Sequence, residues 1–119
     1  MSLIPEPLKQ QLLENGRTNW KLSGQDKETS DFKPVVKLFD PCGAATWLLT
    51  ELDPEDDDLA FGLCDLGAGF PELGSVRISE LESHKGPLGI GIERDEHFQA
   101  DKTLSEYAEA ARAAGRIEA

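Results

Sequence analysis

Residues 44–81 read AATWLLTELDPEDDDLAFGLCDLGAGFPELGSVRISEL, and this stretch decides the fold. Ala45, Trp47, Leu49 and Glu51 alternate with Thr46, Leu48, Thr50 and Leu52. A period of two with both faces partly apolar is the pattern of a strand inside a small sheet. Leu59, Phe61, Leu63 and Asp65 alternate with Ala60, Gly62, Cys64 and Leu66 in the same way. Between the two runs stands DPEDDD, so the strands are expected to pair as a hairpin with residues 53–58 at its tip. Residues 67–74, with Gly, Pro71 and Phe70, make a second loop, and Val76 and Ile78 share one face of a short strand behind it. Trp47 and Phe61 are assigned mainly to the core.

Upstream, PVVKLFD at 34–40 is a compact strand closed by Pro41, which cannot continue a central ladder. Pro5 and Pro7 before LKQQLLEN, with Gly16 behind, predict a helix of little more than two turns bearing Leu8, Leu12 and Leu13 on one side. Residues 17–34 then form a polar connection in which only Trp20, Leu22 and Phe32 offer anything to bury, and its aromatic ends pin it to the body. Downstream, Ser79 and Glu82 stand in the spacing of a capping box, predicting a short helix over 80–85 that Gly86 and Pro87 stop. Leu88, Ile90 and Ile92 alternate with Gly89 and Gly91 as a last strand. Thr103 and Glu106 repeat the capping-box spacing, with Leu104, Tyr107, Ala108 and Ala111 on one stripe and Gly115 past the end. The order of elements is that of the α+β class: a small antiparallel sheet of four to five short strands, a terminal helix packed on one face, and short extra helices. Residues 1–33 are expected to be an N-terminal helix and polar arm, and residues 34–119 a single domain.

The 119 residues are 39% hydrophobic and 29% charged, too apolar for a disordered chain and with no apolar run near the roughly 20 residues that span a bilayer. MSLIPEPLKQQ lacks the basic and continuous apolar regions of a secretory signal, so a cytoplasmic location is expected, with Cys42 and Cys64 as free thiols. The net charge of −11 is uneven. Between Lys37 and Arg77 there is no Lys or Arg, while Asp40, Glu51, Asp53, Glu55, Asp56, Asp57, Asp58, Asp65 and Glu72 are all acidic. Phosphates and anionic lipid would be repelled, so direct nucleic-acid and membrane binding are disfavoured and a basic protein is the partner that steering favours.

Metal and cofactor chemistry lacks its patterns. From Asp53, the turn glycine and the twelfth-position glutamate of a calcium loop are replaced by Asp58 and Cys64. Cys42, Cys64, His84 and His97 are too far apart in sequence for a compact zinc motif. Gly86, Gly89 and Gly91 do not form G-x-G-x-x-G. No cofactor, no metal and no catalytic residue is expected. Asp53, Glu55, Asp56, Asp57 and Asp58 are the expected partner-binding residues. On this reading their mutual repulsion costs stability, and neutralising Asp56, Asp57 and Asp58 leaves the fold as stable or more so.

The run TWLLTELDPEDDDLAFGLCDLGAGFPELGSVRISELE, with GPLGIGIERDEHF and LSEYAEAAR downstream, resembles a family of small bacterial proteins known as a domain of unknown function. The resemblance covers roughly residues 37–112. It implies a setting on proteobacterial plasmids and integrative elements, sometimes within larger polyvalent proteins, and implies no activity, substrate or catalytic residue. Three readings follow: an acidic interaction module for a basic protein; a sharper form of it, a DNA-mimicking anti-defence inhibitor; and a small hydrolase using paired carboxylates such as Glu51 and Asp65. The oligomeric state is left open.

Overall fold

One extra residue in a central strand sets how the sheet is covered. The computed structural model describes residues 3–119 and contains a five-stranded antiparallel sheet in the order β4-β3-β2-β1-β5. The strands are β1 (Val36–Phe39), β2 (Thr46–Asp53), β3 (Asp56–Asp65), β4 (Glu72–Arg77) and β5 (Glu93–Arg94). The helices are α1 (Glu6–Gly24), α2 (Ile78–Ser83) and α3 (Leu104–Ala114). In the β2–β3 hairpin Leu49 faces Gly62 and Glu51 faces Phe61, so Thr50 has no counterpart and forms a bulge. Before it, Trp47 and Leu49 join Val36 and Leu38 in one core, while Leu48 joins Leu63 in another. Strict alternation would next send Glu51 into the first core. The bulge shifts the count by one and Leu52 goes in instead.

The fold class is α+β as expected, with the terminal helix α3 on one face of the sheet, and α1 and α2 cover the other face. Leu12 of α1 and Ile78 and Leu81 of α2 pack with the Trp47–Leu49–Leu52 side, whereas Leu104, Tyr107, Ala108 and Ala111 of α3 pack with Leu48 and Leu63. The period of two in β2, apolar on both faces, is the sequence trace of this arrangement.

The first helix is far longer than the sequence suggested. Gly16 does not stop it; α1 runs 19 residues to Gly24. Gly16 lies against β2 so closely that a Cβ there would sit 1.8 Å from the Leu52 carbonyl oxygen. Asn15 beside it is buried and donates through Nδ2 to the Thr50 carbonyl (2.9 Å), while Gln11 Nε2 donates to Asn15 Oδ1 (3.0 Å). The carbonyl exposed by the bulge thus finds a partner on α1, where an unpaired one would be costly. Gly62, opposite the bulge, is equally constrained: a Cβ there would meet the Leu48 carbonyl at 1.9 Å. One turn further along α1, Asn19 donates to the Ser30 carbonyl (3.2 Å) and accepts from the Ser30 amide (2.7 Å), which ties the polar connection to the helix.

Two later elements also differ. β5 begins after Ile92, and of the apolar residues expected in a strand there only Ile92 is buried. Leu88 stands in a 3₁₀ turn over Pro87–Gly89 with φ 64° and is 95% exposed, because Gly-Pro-Leu-Gly favours a turn over a ladder. α2 starts at Ile78, so Ser79 is its second residue and not its cap, and Glu82 accepts from the Leu3 amide (2.8 Å) instead of closing a capping box. α3 begins and ends as expected, with Glu106 accepting from the Thr103 amide (2.9 Å) and Gly115 in the left-handed region.

Gly16→Ala offers a sharp check of the α1–β2 contact. In an exposed helix interior this change stabilises by up to about 1 kcal/mol. Here it is expected to destabilise by about 1–3 kcal/mol through overpacking, read as a lowered urea midpoint, while Gly24→Ala shows no such loss.

Candidate binding site

The acidic run is less free than its sequence suggests. β2 and β3 extend until Asp53 faces Asp56, so the hairpin tip is only Pro54 and Glu55. Asp53 accepts from the Glu55 amide (2.8 Å) and shapes that turn. Asp56 meets Arg77 Nη1 at 2.9 Å, Asp57 meets Lys9 Nζ at 3.1 Å, and Asp58 accepts from the amide (2.8 Å) and hydroxyl (2.6 Å) of Ser79. Asp58 therefore caps α2 from a neighbouring strand, opposite the positive end of the helix dipole. The Ser79 hydroxyl, its amide and the Arg77 charge hold the Asp58 carboxyl below the ordinary carboxylate value. The expectation that neutralising these residues is free rested on unpartnered charges; each of Asp56, Asp57 and Asp58 has a partner to lose.

Asp31 does for α3 what Asp58 does for α2. It accepts from the Ser105 amide (3.1 Å) and from the Ser105 hydroxyl, and Leu104 N donates to the Phe32 carbonyl (2.9 Å). Burial alone would raise the Asp31 carboxyl, but the hydroxyl and amide of Ser105 and the Thr103 hydroxyl outweigh it and hold it low.

The acidic group with a different character is Glu51. The bulge turns it out of the core yet leaves it half-buried, where its Oε2 accepts from Asn19 Nδ2 at 2.7 Å. Burial pushes the Glu51 carboxyl above its ordinary value, against the opposing Asn19 bond. It forms the common wall of two adjoining clefts of about 300 and 310 Å³. Trp20 (55% exposed) and Phe61 (36%) line the first; Phe61 and Leu73 (41%) line the second. Trp47 is buried as expected, but Phe61 belongs to this surface and Trp20 does not pin the connection. Sequence reasoning did not bring Trp20, Phe61 and Glu51 together, because Trp20 lies in what read as a loop and a bulge cannot be seen in an alternating pattern.

The other candidate chemistries dissolve into structural roles. Asp65 is only 2% exposed and accepts from the Gly67 amide (2.8 Å) and the Ile117 amide (2.9 Å), which fastens the segment after α3 to the end of β3. It pairs with Thr46, five residues along β2 from Glu51, so the two carboxylates stand roughly 15 Å apart and do not form the close pair that the hydrolase reading needs. Cys42 and Cys64 are free, and burial pushes the Cys64 thiol up, away from reactivity. Asp40 accepts from the Cys42 amide (2.9 Å) and lies 3.7 Å from His84 Nε2, joining the β1–β2 turn to the loop after α2. Among the described residues, no group of three or more His, Cys, Asp or Glu is arranged to hold a metal ion, and no helix is long and apolar enough to cross a membrane.

A family model described as "Protein of unknown function (DUF2958)" matches residues 3–118, a span that takes in α1 and the polar connection as well as the sheet. No curated protein and no solved structure matches the chain.

Two carboxylates should respond to neutralisation in opposite senses. Asp58 is held low, so its contribution is present above the ordinary carboxylate range and lost as pH falls through its folded value. Asp58→Asn is expected to lower the urea midpoint at pH 7, with the deficit shrinking as pH falls below the ordinary carboxylate range and wild-type Asp58 itself takes up a proton. Glu51 is held high, so the fold gains from its protonation and loses that gain as pH rises through its folded value. Glu51→Gln, which keeps an acceptor for Asn19, is expected to raise the midpoint at pH 7 and to give a smaller gain near pH 4, at about the unfolded glutamate value.

Proposed function

The chain belongs to the family described as protein of unknown function (DUF2958), which supplies no activity, and we propose that it works as an acidic interaction module whose partner is a basic protein. The observation that carries this reading is an apolar surface left uncovered beside carboxylates: Trp20, Phe61 and Leu73 border the clefts that Glu51 divides, with Asp53 on one side and Asp31 on the other. Exposed large aromatic groups with polar surroundings are what protein interfaces bury, and Trp is prominent among residues that dominate their energy. The acidic span between Lys37 and Arg77 supplies the long-range attraction. Asp53 and Glu55 at the hairpin tip, with Asp56, Asp57 and Asp58 behind them, contribute to that field even where they also serve the fold.

The setting on plasmids and integrative elements is part of the proposal. Enzymes that handle DNA present basic surfaces to phosphate, so obstructing one of them is the sharper form of the same reading.

Affinity capture from a proteobacterial lysate on the immobilised chain, washed at rising salt, tests it. The expected result is a basic protein that is retained at about 0.05 M salt, released by about 0.5 M, and lost from a Trp20→Ala surface. Capture of nothing, or of proteins whose retention ignores both salt and Trp20, overturns the reading.

A further inference from the structure

Resting on that interaction reading, we infer that the double cleft around Glu51 is a receptor for an arginine side chain of the partner protein, with the guanidinium on the Glu51 carboxylate and its flat face and stem against Trp20 and Phe61. Among the described residues, no Lys, Arg or His lines either cleft, while Glu51 and Asp53 line one and Glu51 and Asp31 the other. The walls are thus acidic and aromatic together, which is the chemistry that suits a cation carried on an apolar stem.

The three acids are not equivalent. Asp31 is committed to Ser105, and Asp53 to the turn amide of Glu55. Glu51 spends one of its roughly four acceptor positions on Asn19 and keeps the rest for a ligand. Burial also holds its carboxyl above the ordinary value, so it carries a desolvation cost that a charge-assisted hydrogen bond would offset. Arginine is favoured over lysine because its planar fork can engage a carboxylate with two parallel bonds while stacking on a ring, and lysine's compact, strongly hydrated ammonium does neither as well. Asn19 fixes the Glu51 rotamer from the helix side, and the Thr50 bulge holds the backbone beneath it, so the receptor exists before the ligand arrives.

The experiment titrates the full chain with acetyl-Gly-Arg-Gly-Arg-Gly-amide and with its citrulline twin, which has nearly the same shape and no charge. Trp20 indole and Asn19 side-chain amide resonances report the site, and the backbone spectrum reports folding of each variant. The arginine peptide is expected to shift both resonances and the citrulline peptide to bind at least about tenfold more weakly, the scale of one charge-assisted bond. Glu51→Gln, which preserves the Asn19 contact, should weaken the arginine peptide by about tenfold, and Trp20→Ala by about fivefold. Asp53→Asn with Glu55→Gln at the tip should weaken it by no more than about threefold. If the peptide binds with salt dependence but ignores Glu51 and Trp20, the receptor is overturned while the interaction reading stands. If citrulline binds as well as arginine, the cleft takes no cation and the receptor is likewise overturned. Absence of arginine-peptide binding at low salt, together with a lysate capture that yields no basic protein, overturns both.

Discussion

The hydrogen bond from Asn15 to the carbonyl of Thr50 is the contact on which this structure turns. A bulge in a central strand leaves backbone groups without ladder partners, and burying them beneath a helix is tolerable only if the helix provides the missing bond. Asn15 provides it, and Gly16 lets the helix come near enough for it to do so, with Leu52 filling the core position that Glu51 would otherwise occupy. Gly62 across the hairpin makes room for the same distortion. Asn15, Gly16, Thr50, Leu52 and Gly62, on three elements, thus form one device, and what they accomplish is to rotate Glu51 from the core to the edge of a cleft.

The second theme is how a chain with 23 acidic and 12 basic residues holds together. Many of its carboxylates are used as acceptors for backbone amides and hydroxyls, not as halves of ion pairs. Asp58 and Asp31 each grip the amide and hydroxyl of a serine at a helix start, and Asp65 grips the amides of Gly67 and Ile117. An amide acceptor needs no matching cation, so such roles consume negative charge without requiring a balanced composition. The exposed pairs of Asp56 with Arg77 and Asp57 with Lys9 add little by comparison, since water and salt screen them. Glu51 is the exception, for it is partly desolvated and, among the described residues, is met by the neutral Asn19 amide and no cation.

Much of the architecture was legible in the chain. The alternation in residues 45–52 and 59–66 shows where the central hairpin lies, and the stripe Leu104, Tyr107, Ala108 and Ala111 shows the terminal helix and its buried face, because both patterns record which side of an element meets apolar neighbours. The free thiols were also legible in the sequence. Misreadings arose where a residue has one meaning locally and another in context. Gly16 is locally a helix breaker and in context a point of close approach; Leu88 is locally the start of an alternating run and in context the exposed crest of a turn.

By itself, then, the sequence determined the α+β class, the pairing of the central strands and the strong negative charge of the span between Lys37 and Arg77, since periodicity and charge are properties of neighbouring residues. The tertiary structure alone decided that Asp56, Asp57 and Asp58 have partners on other elements, that α1 continues past Gly16, and that Trp20, Phe61 and Glu51 meet around one cleft. Those outcomes depend on contacts between residues 10 to 50 positions apart and on a one-residue shift of register, neither of which leaves a periodic mark along the chain.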